Sequence, residues 1–316
     1  MQPDTVTTLP QQISCIDTGY QRPRLAACYL IESAGEAAFV DTGTAHSVPR
    51  LMRLLESKGI PPAQVKYVIP THVHLDHAGG AGELMQQLPE ARLVVHPYGA
   101  RHLIDPAKLT AGATAVYGES QFQQLFGRLI PVAQERVIEA EDGLTLSLGK
   151  RELLCLDTPG HARHHICVYD AQSRGFFTGD SFGLSYRELD TPQGPFIIPT
   201  TTPVQFDPDA WHTSLERLLA HHPLAIYLTH FGRIENPQRL ATDLHRAIDD
   251  FATIATQAGT DNRVARIRRD LLQWTQQAIG SQGGRYSVAQ VEAILGMDLD
   301  LNAQGLDVWL ERRAKR

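Results

Sequence analysis

The hydrophobic positions along this chain form two alternating kinds of pattern, and each predicts a different type of element. Short runs that are almost entirely apolar are typical of buried strands. The runs that predict strands lie, in chain order, at 25–32, 37–41, 65–69, 93–95, 136–139, 144–148, 152–157, 165–169, 175–178 and 224–228. Between them, apolar residues recur at helical spacing in 47–57 and 207–221, which predicts amphipathic helices.

The order of these elements predicts an α/β (α+β) protein built from packed layers. Strands and helices interleave up to about residue 235, whereas from residue 238 onward the pattern is mostly helical. We therefore predict two regions, a larger domain over 1–235 that carries the candidate chemistry and a helical C-terminal region over 236–316. The second region is too apolar to be disordered, so we expect a packed appendage that walls the substrate cleft or forms a homodimer.

Composition and charge narrow the class of protein. Hydrophobic residues make up 42 % of the chain and charged residues 20 %, which fits a soluble globular protein. The net charge of -6 argues against nucleic acid as a partner, because such binding depends on Lys and Arg neutralising phosphates. No apolar run approaches the roughly 20 residues that span a bilayer, so no membrane partner is expected. Residues 1–12 lack the features of a signal peptide, and the four cysteines have no CxxC spacing, so we expect a cytoplasmic protein with reduced thiols.

Candidate chemistry is concentrated directly after the predicted strand at 65–69. The sequence there is Thr71-His72-Val73-His74-Leu75-Asp76-His77. In an extended segment alternate side chains point the same way, so His72 and His74 can share one ion. Once the chain turns, Asp76 and His77 can point at a neighbouring ion. Imidazole and carboxylate groups are natural ligands of zinc-like divalent metals, so this motif predicts a metal site.

The HxHxDH pattern of the motif resembles the signature of the metallo-β-lactamase superfamily. Four further segments are similar to the rest of that family's pattern, in the same order along the chain. They are Asp41-Thr42-Gly43, Thr158-Pro159-Gly160-His161, Phe177-Thr178-Gly179-Asp180 and Leu228-Thr229-His230. The resemblance extends from about residue 25 to residue 232, and every ligand position is filled.

This resemblance implies an αββα sandwich with the site at one edge, between two sheets. By the same resemblance the metal ligands divide into a first site of His72, His74 and His161, a second site of Asp76, His77 and His230, and a bridging Asp180. The implied cofactors are two divalent ions, zinc first and iron or manganese next, with a bridging hydroxide as the nucleophile. The implied catalytic residue is Asp76, which would orient that nucleophile and move a proton to the leaving group.

The metal ligands imply a hydrolase but do not select its substrate. We expect a small molecule with an ester, lactone or thioester carbonyl, as in lactonases and hydroxyacylglutathione hydrolases. Secreted β-lactamases normally carry an export signal, and some have a cysteine where this chain has Asp180. A mononuclear iron persulfide dioxygenase uses a subset of the same ligands and stays an alternative, as does a metal-dependent phosphodiesterase. Binding or scaffold members of the family tend to lose ligands, which this chain keeps. No spacing selects the substrate-binding residues.

Overall fold

The computed structural model describes residues 6–201 and 204–315. The chain divides into two compact units. The first comprises the described residues up to 157 together with 164–179 and 223–235, and the second comprises 158–163, 180–222 and the residues from 236 onward. This grouping by compactness does not test the predicted division into 1–235 and 236–316, which stays a prediction.

The first unit contains a seven-stranded sheet and a six-stranded sheet. Their strands are β1 (Val6–Leu9), β2 (Ile13–Asp17), β3 (Ala27–Ser33), β4 (Glu36–Val40), β5 (Val65–Ile69), β6 (Arg92–Val95), β7 (Val137–Glu139), β8 (Thr145–Leu148), β9 (Arg151–Asp157), β10 (Ile166–Asp170), β11 (Gly175–Gly179), β12 (Ala225–Leu228) and β13 (Gly232–Glu235). The strand order is β1-β2-β3-β4-β5-β6-β7 in the first sheet and β13-β12-β11-β10-β9-β8 in the second.

The first sheet changes from antiparallel to parallel pairing at β4. Strands β1 to β4 form a meander, whereas β4 to β7 pair in parallel. Parallel neighbours need a crossover, and helices supply each one. These helices are α1 (Val48–Lys58), α2 (Leu75–Ala78), α3 (Ala81–Gln87), α4 (Pro97–Ile104), α5 (Ala107–Tyr117) and α6 (Glu119–Phe126). In this parallel part of the sheet, polar loops follow the carboxyl ends of β4 and β5.

The two sheets face each other across an aromatic layer. The ring of Tyr29 on β3 lies 5.1 Å from that of Phe177 on β11 and 5.7 Å from that of Tyr227 on β12. The Tyr29 hydroxyl also donates a hydrogen bond to the carbonyl of Leu228. A separate apolar cluster joins the first sheet to the crossover helices and includes Phe39 and Leu51. The first sheet is therefore buried on both faces.

The second unit combines loop segments with the C-terminal helices. Its described helices are α7 (Pro208–Leu219), α8 (Pro237–Gln257), α9 (Arg263–Ser281) and α10 (Val288–Ala314). The rings of Phe251 on α8 and Trp274 on α9 lie 5.1 Å apart. Helix α10 starts with a capping box formed by Ser287 and Gln290, which satisfies backbone N–H groups at its first turn.

A buried amide on α10 holds the loop at 199–201. The Asn302 side chain is 1 % exposed. Its Oδ1 accepts a hydrogen bond from the N–H of Thr201 at 2.5 Å, and its Nδ2 donates to the carbonyl of Pro199 at 3.3 Å. The contacts bracket Thr200 on both sides, so α10 fixes the path of the chain through that residue.

Mixed sheets, crossover helices and C-terminal helices confirm the predicted α+β class. The sequence pattern missed β1, β2 and β13, and it left the segment around 111–128 irregular. There the structure has α5 and α6. Within the described structure α5 has no buried residue, so its sequence carries no amphipathic pattern that would predict a helix.

Two further features bear on the predicted class of protein. All four cysteines are buried thiols outside any disulfide. Burial raises the pKa of the Cys15 and Cys155 thiols to about 12, which makes these two poor nucleophiles. Among the described residues, we find no helix with the length and apolar character needed to cross a bilayer.

We predict that Asn302→Ala lowers the free energy of unfolding by about 2 kcal/mol, because buried polar groups of Thr201 and Pro199 lose their partner. Urea denaturation followed by circular dichroism measures this change. The matched control is Gln304→Ala, an exposed change on the same helix that we expect to stay within about 0.5 kcal/mol of wild type. Equal stability of the two variants would contradict the anchoring role of Asn302.

Candidate metal centre

The histidine motif lies where the first sheet ends and the chain turns into a short helix. Strand β5 ends at Ile69, and α2 begins at Leu75 with His74 as its N-cap. The two halves of the motif therefore have different backbone conformations, as the sequence pattern predicts. In the extended half, Nε2 of His72 lies 2.8 Å from Nδ1 of His74. Two ring nitrogens are thus brought side by side.

The carboxylate of Asp41 holds this motif in place. It follows β4, is fully buried, and sits at a positive φ of 56°. Its Oδ1 accepts a hydrogen bond from the N–H of Thr71 at 2.7 Å. Its Oδ2 accepts from the Thr229 hydroxyl at 2.6 Å and faces Nδ1 of His77 at 2.8 Å. One carboxylate therefore connects the ends of β4, β5 and β12.

Asp76, His77 and His230 form a compact group in the first unit. Oδ2 of Asp76 lies 3.6 Å from Nε2 of His77 and 3.4 Å from Nε2 of His230. One ligand atom from each residue lies within 4.8 Å of the other two. Burial works to raise the pKa of the Asp76 carboxyl, but the imidazoles of His77 and His230 hold it well below its ordinary value. The Asp76 side chain is therefore a carboxylate at neutral pH.

The ring orientations in this group suit metal binding. Nδ1 of His77 faces the Asp41 carboxylate, and Nδ1 of His230 lies 2.8 Å from the carbonyl of Leu25. Metal-ligating histidines usually donate one ring N–H to such an oxygen, which fixes the tautomer and directs the other nitrogen at the ion. In both residues here, the nitrogen that remains faces Asp76. The donor set of two imidazoles and a carboxylate fits a zinc-like divalent ion.

The second unit contains a similar pair, His161 and Asp180. Nδ1 of His161 lies 2.7 Å from the carbonyl of Thr200, and its Nε2 lies 3.5 Å from Oδ2 of Asp180. The preceding Gly160 has a φ of 142°, and a Cβ on it would lie 2.4 Å from Cβ of Trp211. Glycine is therefore required before this histidine, and the anchored Nδ1 again leaves Nε2 directed at a carboxylate.

Of the predicted ligands, the first unit brings together Asp76, His77 and His230 and places His72 beside His74, while the second unit pairs His161 with Asp180. Their division between two metal ions, and the catalytic role of Asp76, stay predictions. The oxygens of Leu25 and Thr200 that anchor two of the rings were not foreseen. They belong to the backbone, so no residue type in the sequence signals them.

An apolar cluster next to Asp76 was also missed. Leu75, Phe122 and Phe126 form its buried part, and Tyr20 and Tyr117 pack against them. Burial, and then the charge of Asp76, raise the pKa of the Tyr20 phenol, and the same two causes act on Tyr117. Both hydroxyls therefore stay protonated at neutral pH, close to a carboxylate.

Comparison with known proteins finds relatives that include a metallo-beta-lactamase fold protein and a thioesterase. The chain is 29 % identical over 216 residues to the metallo-beta-lactamase fold-containing protein ST1585 of Sulfurisphaera tokodaii, covering 67 % of this chain and 75 % of that one. It is 25 % identical over 179 residues to the human acyl-coenzyme A thioesterase MBLAC2, covering 51 % of this chain and 60 % of the thioesterase. The chain therefore matches less than two thirds of the thioesterase.

The fold also matches that of solved structures. The metallo-beta-lactamase family protein TTHA1429 from Thermus thermophilus superposes with a TM-score of 0.68 at 20 % sequence identity. The superposition covers 98 % of this chain and 95 % of that one. A sequence profile described as the metallo-beta-lactamase superfamily matches residues 22–230, about two thirds of the chain. With the HxHxDH motif and this profile on the same segment, the chain belongs to the metallo-beta-lactamase superfamily.

Proposed function

We propose that this protein is a dinuclear metal-dependent hydrolase that cleaves a carbonyl bond of a small ester, lactone or thioester. The observation that carries the proposal is the Asp76 carboxylate between the Nε2 atoms of His77 and His230, next to an apolar cluster. A metal site of this kind can act on carbon or phosphorus, so the surroundings must select the substrate.

The proposed ligand sets follow the family pattern. His72, His74 and His161 would hold one ion, Asp76, His77 and His230 would hold the other, and Asp180 would be a ligand shared by both. Three of these histidines have Nδ1 directed at a backbone carbonyl or a buried carboxylate, which supports ligation through Nε2.

Ions held by these residues would supply a water of lowered pKa and a Lewis acid for the carbonyl oxygen of the substrate. The chain's own groups hold this site and its protons. Asp41 keeps the proton of His77 on Nδ1, so that Nε2 presents its lone pair. Asp76, ionised at neutral pH, can accept a proton and pass it to the leaving group.

The apolar cluster is the part of the surroundings that favours a carbonyl substrate. Leu75, the chain neighbour of Asp76, packs with Phe122 and Phe126, and an apolar surface beside a site strengthens the electrostatic interactions in it. The protonated phenols of Tyr20 and Tyr117 are available to donate a hydrogen bond to an oxyanion. A polymeric phosphodiester would instead need a basic track, and the net charge of the chain is -6. The thioesterase named above supports a thioester in particular.

The first test is metal content. We predict that the purified protein, desalted after reconstitution, retains about two tightly bound ions per chain, with zinc held more tightly than iron or manganese. Asp180→Asn should lose affinity for both ions, because one bridging carboxylate offsets the charge of two cations. Elemental analysis measures both results. At most one tightly bound ion in the wild type would contradict the dinuclear site and favour the mononuclear dioxygenase.

The second test concerns Asp76. We predict that Asp76→Asn reduces kcat roughly 100-fold or more, because the amide neither accepts a proton nor offsets the charge of an ion. The variant should keep the ion that we assign to His72, His74 and His161. Asp261→Asn, an exposed change in the second unit, is the matched control and should keep wild-type turnover. Near-wild-type activity of Asp76→Asn would rule out the proposed role.

The third test is the reaction itself. We predict that the metal-loaded enzyme hydrolyses members of a panel of acylglutathiones, acyl-coenzyme A thioesters, acyl-homoserine lactones and aryl esters. Nitrocefin and bis-p-nitrophenyl phosphate complete the panel and should be poor substrates. Turnover is followed by thiol release, acid release or absorbance. Efficient phosphodiester cleavage without carbonyl hydrolysis would contradict the proposal. Oxygen consumption with glutathione persulfide would favour the dioxygenase instead.

A further inference from the structure

A second cluster of metal-competent side chains lies on two helices of the second unit, apart from the predicted ligands. His212 and Glu216 are one helical turn apart on α7, and His245 and Asp249 are one turn apart on α8. Residues four positions apart lie on the same face of a helix. Each helix therefore presents one imidazole and one carboxylate, and the imidazoles meet between the two helices.

The contacts in this cluster are short. Nδ1 of His212 lies 2.6 Å from Nδ1 of His245, and the two rings are within 14° of parallel. Nε2 of His212 lies 3.0 Å from Oδ1 of Asp249. The side chain of His212 is 25 % exposed and that of Asp249 is 71 % exposed, so ions in solution can reach the cluster.

The charges of His212, Glu216 and Asp249 all affect the pKa of His245. Burial, and then the neighbouring His212 ring, lower the pKa of His245 below its ordinary value, whereas the carboxylates of Glu216 and Asp249 act in the opposite direction. The net result is a neutral imidazole near two carboxylates. Neutral imidazole is the form that binds metals.

We propose that His212 and His245 form an additional binding site for a divalent transition metal between α7 and α8, with water completing the coordination. Asp249 is the positioning residue of this site: it accepts the Nε2 proton of His212, which leaves the Nδ1 lone pair for the ion. Such a carboxylate–histidine–metal arrangement is the usual support of a histidine ligand.

To bind one ion, the Nδ1 atoms of His212 and His245 must move slightly apart. Zinc–nitrogen bonds of about 2.0–2.1 Å place two nitrogens on one tetrahedral ion about 3.3 Å apart. Side-chain rotation of partly exposed residues can supply the fraction of an ångström needed. Two imidazoles favour zinc, nickel or copper over calcium and magnesium, and copper(II) should bind more tightly than zinc. With water in the remaining positions, the site should exchange its ion more readily than a fully protein-ligated centre.

Zinc binding to the full-length, metal-loaded protein tests this site. The chain is dialysed against rising concentrations of free Zn²⁺, and the zinc retained per chain is counted by elemental analysis. The wild type should bind one more exchangeable zinc ion than His212→Gln or His245→Gln. Asp249→Asn should bind that ion about tenfold more weakly, as expected when the group that positions a ligand is removed. With copper(II), electron paramagnetic resonance should detect coupling to two imidazole nitrogens in the wild type and to one in His245→Gln.

The matched control is His102→Gln, a half-buried histidine on α4 in the first unit, which should keep the additional ion. Melting temperatures without added zinc establish that each variant is folded. If a histidine variant does not fold, a zinc-dependent rise in melting temperature that is weaker in Asp249→Asn tests the same site. An equal zinc count in the wild type and the folded His212→Gln and His245→Gln variants would overturn the proposal. Loss of the ion in His102→Gln would overturn it too. The count does not depend on hydrolysis, so this result stands apart from the proposed function.

Discussion

The position of the histidine motif at 71–77 depends on the carboxylate of Asp41. A buried charge is costly unless hydrogen-bond donors replace the water it has lost. Thr71, His77 and Thr229 supply those donors, and they come from segments far apart in the chain. The carboxylate is stabilised when β4, β5 and β12 end at the same place. The histidines that follow two of these strands are therefore positioned by the same interaction that stabilises the sheet edge.

The Nδ1 atoms of His77, His161 and His230 have partners of different chemistry. His77 faces the Asp41 carboxylate, whereas His161 and His230 face the carbonyls of Thr200 and Leu25. A carboxylate partner raises the basicity of an imidazole more than a neutral carbonyl does, because it stabilises positive charge on the ring. Of these three proposed ligands, His77 should therefore donate electron density most strongly to a metal ion. The anchor at Thr200 also extends to α10, since Asn302 holds the residues on both sides of it.

The parts of the protein that could be predicted from the sequence are those determined by residues close together in the chain. The HxHxDH motif follows an apolar strand, so both the strand and the change of backbone at residue 75 could be predicted from neighbouring residues. Strand β1 could not, because two exposed threonines separate its two half-buried apolar residues. Strand β2 could not either, because the polar Ser14 and Asp17 interrupt its apolar run although every residue in it is buried. The carbonyls of Leu25 and Thr200 were beyond reach for another reason: every residue has a carbonyl, and only the fold decides which one meets a histidine. The cluster around Phe122 and Phe126 depends on the same long-range placement.

Helix α5 has a consequence for how this protein can change over time. It ends at Tyr117, which packs in the cluster near Asp76, yet within the described structure none of the helix's own residues is buried. Substitutions at exposed positions usually cost little folding free energy. The exposed positions of α5, such as Val116, can therefore accumulate mutations while the loop held by Asp41 stays fixed. Such an arrangement separates sequence variation near the proposed active site from the stability of the loop that carries the histidines.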